Sequence, residues 1–281
     1  MQKTVKLYEK EIYDGCLGVT LECYIHNLSP ELTKIPRAAM IVFPGGGYSF
    51  CSDREAEPIA SSYYAEGYNC FVLRYITGEK ARQSKPLIDA AAIIAHIRKN
   101  ASEYQIDSKK VTVIGFSAGG HLAGYIATSW HLPFLAEILG EENELFKPNA
   151  AILSYPVISG ITSPHLHSFD MLLGKERSED EIRSVSLEYL VSEKTVPCFI
   201  WHTAEDDVVP VQNSLVFAQA LSEYKIPYEM HIFPKGKHGI SRANRETTPD
   251  WSNGEYNRPY VARWMEWSIK WLDNLLFSGQ F

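Results

Sequence analysis

At 281 residues, with 45% hydrophobic and 22% charged residues, the chain can bury one sizeable core, and its composition excludes a disordered or fibrous class. A formal net charge of −7, with no basic run longer than Lys109-Lys110, removes the electrostatic footprint expected of a nucleic-acid binder. Five cysteines without a C-x-x-C pair exclude a disulfide framework and a thiolate metal site, leaving reduced structural thiols, of which only Cys51, near a glycine-rich loop, is weighed as a nucleophile.

The opening MQKTVKLYEKEIYDG alternates charged and apolar residues where a secretory leader needs an unbroken apolar stretch. No later run reaches membrane-spanning length, so a cytoplasmic protein with no membrane partner is expected. VKLYEKEIY and VTLECYIHNL alternate with period two and predict an antiparallel hairpin at the edge of a sheet.

From residue 38 onward, apolar β-rich runs alternate with helical patterns, which predicts strand-helix-strand units around a mostly parallel sheet. The strands fall at 38–43, 69–73, 111–114, 150–154, 198–202 and 228–233, giving about eight with the hairpin. Helices are predicted at 55–66, 86–100, 118–128, 211–224 and 261–276, the second opening on Pro86 and ending in basic residues. Residues 157–196 hold no clear strand and one short helix at 178–185. They read as an excursion above the sheet that could cover part of a site, within a single domain spanning 1–281.

Four segments carry chemistry. In IVFPGGGY a buried strand runs into three glycines, whose uncovered N–H groups can point at an oxygen that becomes negative during acyl transfer. Gly46 and Gly47, with the Ala118 N–H, are assigned to such an oxyanion hole. The spacings of nucleotide-binding glycine loops are absent. VTVIGFSAGGHLAGYIA reads as strand, tight turn and helix, the context that lifts Ser117 out as a nucleophile while Gly115 and Gly119 avoid steric collision.

The third segment, CFIWHTAEDDVVP, ends a buried strand in three consecutive acids, and position alone leaves Glu205, Asp206 and Asp207 equivalent as the acid that orients a catalytic imidazole. Of the nine histidines, His96 and His121 fall in helices, His231 in a strand and His26 in the hairpin. His165 and His167 lack a carboxylate or cysteine at metal-ligand spacing, so no metal is expected. His238, in the glycine-punctuated loop FPKGKHGI after the last strand, is the base. The resulting chain order is serine, acid, histidine.

Together IVFPGGGY, GFSAGGHLA, SLEYLVSEKTVPCFIWHTAEDDVVPVQNSL and FPKGKHGIS resemble the α/β-hydrolase superfamily over residues 38–272, in its small acetyl-esterase and acetylxylan-esterase-like branch. The resemblance implies an α/β-hydrolase fold with helices on both faces of the sheet and a short partial lid. It implies a triad of Ser117, Asp206 and His238, the acid lying four residues after His202 and four before Pro210. Pro44 stands where many relatives carry histidine, a departure that touches loop anchoring more than the glycine donors.

The implied substrate is a small carboxylic ester, often an acetylated sugar, cleaved without a cofactor. Glycoside cleavage would require two flanking carboxylates instead of an elbow serine. Tyr48 and Trp130 are named as walls of the acyl pocket, with ordinary core packing the plainer reading. The alternatives are a prolyl-oligopeptidase-type peptidase, for whose propeller this chain has no room, and a silent hydrolase-fold binding module. The tryptophan-rich RPYVARWMEWSIKWL is read as a last packed helix, with a homo-oligomer left open.

Overall fold

Strand β3 (Arg37–Phe43) shows why the strands of this chain read as unbroken apolar runs. Ala39, Ile41 and Phe43 enter one buried cluster, while Ala38, Met40 and Val42 enter another. Successive side chains on a strand point to opposite faces, so a strand covered on both faces must be apolar at every position. The computed structural model describes residues 2–27, 29–32 and 36–278.

The other strands are β1 (Gln2–Lys6), β2 (Thr20–Tyr24), β4 (Asn69–Arg74), β5 (Ile106–Phe116), β6 (Ala150–Ser154), β7 (Cys198–Thr203) and β8 (Tyr228–Phe233). They form one eight-stranded sheet in the order β1-β2-β4-β3-β5-β6-β7-β8. β2 is antiparallel to both β1 and β4, and the pairings from β4 through β3 to β8 are parallel, as the sequence predicts.

Helices α1 (Glu57–Ala65) and α8 (Trp264–Asp273) cover one face, contributing Ile59, Tyr63, Trp264 and Leu272 to its core. Helices α2 (Lys85–Lys99), α3 (Ala118–Ser129) and α7 (Gln212–Glu223) cover the other through Leu87, Ile94, Leu122 and Phe217. Trp201 of β7 stacks on Trp264 with ring centroids 4.7 Å apart, which docks α8 on the sheet. No described helix is long and apolar enough to cross a membrane.

The structure corrects several boundaries. The antiparallel edge hairpin is present as β1 and β2, but only Val5 and Lys6 of VKLYEKEIY lie in β1, which ends there. Tyr8 and Tyr13 both donate their hydroxyls to the buried Asp89 of α2, which ties the rest of that pattern to the helix. The second half of the hairpin is β2, with Leu28 of that pattern outside the described residues. β5 begins at Ile106, ahead of the expected start at Val111, and Asp107, Lys109 and Lys110 give no period-two signal by which the sequence could show it.

Helix α4 (Pro133–Leu139) went unpredicted, as did α5 (Leu166–Leu173) in the excursion. The short helix foreseen there is α6 (Glu179–Arg183), opened by a reciprocal Ser178–Glu181 capping box. The excursion is packed, not loose: Phe169, Leu172, Val185 and Leu187 join the core over α3. At the carboxyl end, the single helix expected over 261–276 is divided into a 3-10 turn (Val261–Arg263), α8 and a π turn (Asn274–Ser278).

Candidate active site

β3, β5, β7 and β8 run parallel, so the loops leaving their carboxyl ends emerge on one edge of the sheet, where ligands gather in open α/β folds. These loops carry the glycine run, Ser117, Asp206 and His238. One edge therefore collects residues that are up to 121 positions apart in a bonded pair.

Ser117 sits between β5 and α3 with φ 54° and ψ −117°, a conformation that costs a non-glycine residue energy and is held by its neighbours. Its N–H donates to Ser154 O at 3.0 Å, and its carbonyl accepts from His121 N and Val157 N. The flanking glycines are steric necessities. A Cβ on Gly115 would lie 1.9 Å from Gly119 O, and one on Gly119 would lie 2.1 Å from Phe43 O.

Ser117 Oγ lies 2.8 Å from His238 Nε2, and His238 Nδ1 lies 2.7 Å from Asp206 Oδ2. An ionised carboxylate only accepts, so Nδ1 carries the proton and Nε2 is left to accept from the serine hydroxyl. The Asp206 Oδ1 accepts the N–H groups of Val208 and Val209 at 3.0 and 2.9 Å. Burial alone would raise the Asp206 pKa, but hydrogen bonds and charge from His202 and His238 outweigh it and hold the carboxyl well below the usual range.

The three acids are thus told apart by environment. Asp206 is buried, whereas Glu205 and Asp207 are exposed and face Lys235 and Lys237 at 4.0 and 3.6 Å. Period and composition could not separate them because the distinction lies in how the loop folds back on His202.

The glycine loop is pinned from behind. Gly45 N–H donates to Glu55 Oε2 at 2.8 Å, and Tyr155 donates to Glu55 Oε1 at 2.6 Å while accepting from Ser241 N at 3.0 Å. Tyr155 also sets its ring edge-on to His238, with centroids 5.2 Å apart. One buried carboxylate therefore ties the glycine loop to the segment that carries the imidazole. The N–H groups of Gly46, Gly47 and Ala118 take no protein acceptor among the described residues. Gly46 and Gly47 border the same cavity as Ser117, with φ 130° and 62°.

Tyr48 and Trp130 do not wall that cavity. Tyr48 is 1% exposed and points inward, donating to His121 Nδ1 at 2.7 Å while His121 Nε2 donates to Val185 O at 2.7 Å. Burial pushes the His121 pKa down to about 4, so this buried ring is neutral near pH 7. Trp130 follows the far end of α3, about 18 Å along the helix from Ser117. It donates to Lys194 O and borders a separate surface cleft. Nearness in sequence to a motif did not give either side chain the direction of the site. Cys51 is set aside as well, since burial pushes its thiol up to about 12.

The cavity beside Ser117 measures about 280 Å³, at the small end for ligand sites. Its rim includes the exposed Phe50 and Val208, together with Arg54 and Glu55. His165 and His167, discounted on context in the sequence, line it too. They come from the excursion and meet Gly47, where a Cβ would fall 2.9 Å from His167 Cδ2. Among the described residues no group of three or more His, Cys, Asp or Glu is placed to hold a metal ion.

Residues 27–221 match the BD-FAE family. The chain belongs to that family. An endo-1,4-beta-xylanase B of Butyrivibrio fibrisolvens is 42% identical over 261 residues, covering 89% of this chain and 39% of that protein. An acetylxylan esterase of Xylanibacter ruminicola is 32% identical over 208 residues, covering 72% and 41%. This BD-FAE chain thus spans about two fifths of the length of those two curated relatives. A crystal structure of an acetyl ester-xyloside bifunctional hydrolase from Caldicellulosiruptor lactoaceticus matches with a TM-score of 0.84 at 32% identity, over 98% of this chain and 97% of that one. The architecture is that of an acetyl-esterase-like α/β-hydrolase.

Proposed function

We propose that this BD-FAE protein is a serine carboxylic ester hydrolase that removes acetyl groups from small acetylated sugars such as xylo-oligosaccharides. The observation that carries the reading is the continuous chain from Ser117 Oγ through His238 to Asp206, at 2.8 and 2.7 Å. The Ser117 oxygen attacks the ester carbonyl carbon as its proton passes to His238 Nε2, and Asp206 steadies the imidazolium that forms. The carbonyl oxygen, now negative, is received by the N–H groups of Gly46, Gly47 and Ala118. Collapse breaks the carbon–oxygen bond to the alcohol, which leaves with the proton from His238. Water, deprotonated by the same imidazole, then attacks the acetyl-serine and releases acetate.

The substrate half of the reading is supported by similarity to an acetylxylan esterase and an acetyl ester-xyloside hydrolase, and by the modest cavity. Xyloside cleavage by the same cavity is disfavoured. Glu55 is the carboxylate on its lining, and both its oxygens are already taken by Gly45 and Tyr155. A glycosidase needs a pair of carboxylates facing the sugar.

The test is hydrolysis of p-nitrophenyl acetate, butyrate and octanoate, and of acetylated xylo-oligosaccharides, by wild type and Ser117→Ala, with a prolyl peptide substrate as control. Acetyl esters should be cleaved best, and the variant should lose on the order of 10⁴-fold or more. Activity untouched by Ser117→Ala would sink the serine mechanism, and cleavage of the peptide alone would favour the peptidase reading.

A further inference from the structure

His165 and His167 stand two residues apart, a spacing that on a regular helix points side chains to nearly opposite sides. Here they converge, because His165 is the residue before α5 and has φ −83° and ψ 84°, outside helical geometry. Their ring centroids lie 6.2 Å apart, and both rings line the cavity that holds Ser117 and His238.

Each imidazole spends one nitrogen on a serine hydroxyl of the protein. His165 Nδ1 lies 2.8 Å from Ser168 Oγ, and His167 Nε2 lies 2.7 Å from Ser49 Oγ. The other nitrogens, His165 Nε2 and His167 Nδ1, have no protein partner among the described residues. A serine hydroxyl can donate or accept, so each ring can take either neutral tautomer and present its free nitrogen as donor or acceptor. Such a wall suits groups that both donate and accept, which describes sugar hydroxyls and does not describe an acyl chain.

We infer that His165 and His167 form the recognition wall for the alcohol half of the ester, a sugar ring whose free hydroxyls bond to His165 Nε2 and His167 Nδ1. This assignment rests on the esterase reading above. The glycine run supports it sterically: any side chain at Gly47 would strike His167 and separate the wall from the oxyanion loop.

The free nitrogens differ in position between the two rings, which supplies a stereochemical test. A glutamine amide reaches the Nε2 position and an asparagine amide the Nδ1 position. His165→Gln and His167→Asn therefore keep the substrate-facing group and lose the serine contact. His165→Asn and His167→Gln do the reverse. The quantity measured is kcat/KM for an acetylated xylobiose divided by kcat/KM for p-nitrophenyl acetate, a ratio that cancels damage to shared catalytic steps and to folding. His165→Asn and His167→Gln should each lower the ratio on the order of tenfold, through KM, as expected for one lost hydrogen bond. His165→Gln and His167→Asn should hold it within about threefold, the margin of a repacked contact.

A ratio unchanged in all four variants, or the opposite pairing of effects, overturns the inference. Wild type that cleaves p-nitrophenyl acetate in a Ser117-dependent way but gives a flat ratio removes this wall alone. Wild type without ester hydrolysis removes the esterase reading and the wall with it.

Discussion

Tyr155 donates its phenolic hydrogen to Glu55 across 2.6 Å, joining the end of β6 to the turn behind the glycine loop. Because Tyr155 also accepts the N–H of Ser241, the buried carboxylate fixes three loops of the site through two of its own acceptor atoms. Glu55→Gln keeps the shape but turns one acceptor into a donor, leaving either the Gly45 N–H or the Tyr155 hydroxyl without a partner. The expected cost is about 1–3 kcal/mol of stability, read by denaturant unfolding, with kcat for p-nitrophenyl acetate falling more than KM changes. An unchanged unfolding midpoint and kcat would contradict this account.

The neighbouring acids should behave very differently when neutralised. Asp206→Asn leaves His238 without its orienting acceptor, and kcat should fall on the order of 10⁴-fold. Asp207→Asn and Glu205→Gln alter exposed side chains facing lysines at 3.6 and 4.0 Å. Exposed pairs of this kind contribute at most about 1 kcal/mol, so both variants should remain within a fewfold of wild type. A comparable collapse in Asp207→Asn would reassign the acid.

His121 provides a pH test. Its pKa in the folded protein, about 4, lies below the ordinary 6.5 because burial disfavours the charged ring. The native state therefore binds fewer protons than the unfolded one. The stability tied to the neutral ring is complete above pH 6.5 and is lost as pH falls toward 4. Asp89 acts in the opposite sense, since its carboxyl is raised from 3.8 to about 6 by burial. Subtracting the unfolding free energy of His121→Gln from that of wild type isolates the histidine. The difference should grow by on the order of 3 kcal/mol from low pH up to pH 6.5 and then level off. A pH-independent difference would mean that the ring is not held neutral.

Gly115→Ala is expected to be more damaging than its single methyl suggests. The added Cβ would sit 1.9 Å from Gly119 O, a backbone atom that cannot move without shifting the start of α3. The destabilisation should reach about 3 kcal/mol or more, beyond ordinary overpacking, and hydrolysis should fail in any soluble fraction. By contrast, Gly140→Ala meets no atom within 4 Å and suffers only from its φ of 67°. Thermal unfolding of the two variants side by side measures the difference.

Much of this architecture is visible in the residues because the strands of the parallel sheet are apolar on both faces, as in β3, and because Gly115 and Gly119 have no substitute at the Ser117 turn. The eight-strand sheet and the chain order of serine, acid and histidine follow from such local patterns, whereas the preference for Asp206 over Glu205 and Asp207 comes from the family resemblance. What stayed hidden depends on directions in space. Tyr48 adjoins the glycine loop in sequence yet points into the core, and Trp130 lies on the far side of a helix length. His165 and His167 meet over Gly47 only because one backbone residue departs from helical geometry. Tyr8 and Tyr13, five residues apart, both reach one carboxylate on α2, a convergence that no strand spacing signals. None of these is encoded by period or composition.

His238 follows β8, which among the described residues pairs only with β7 and forms one border of the sheet. Ser117, by contrast, follows β5, flanked by β3 and β6 near the middle. The two partners of this hydrogen bond thus belong to regions of unequal local stability, since a border strand opens at lower free energy than a central one. On warming, the His238 imidazole should be released from Ser117 while the central strands still protect their amides from hydrogen exchange. Inactivation then becomes a sub-global event, reversible on cooling, and separate from melting of the fold.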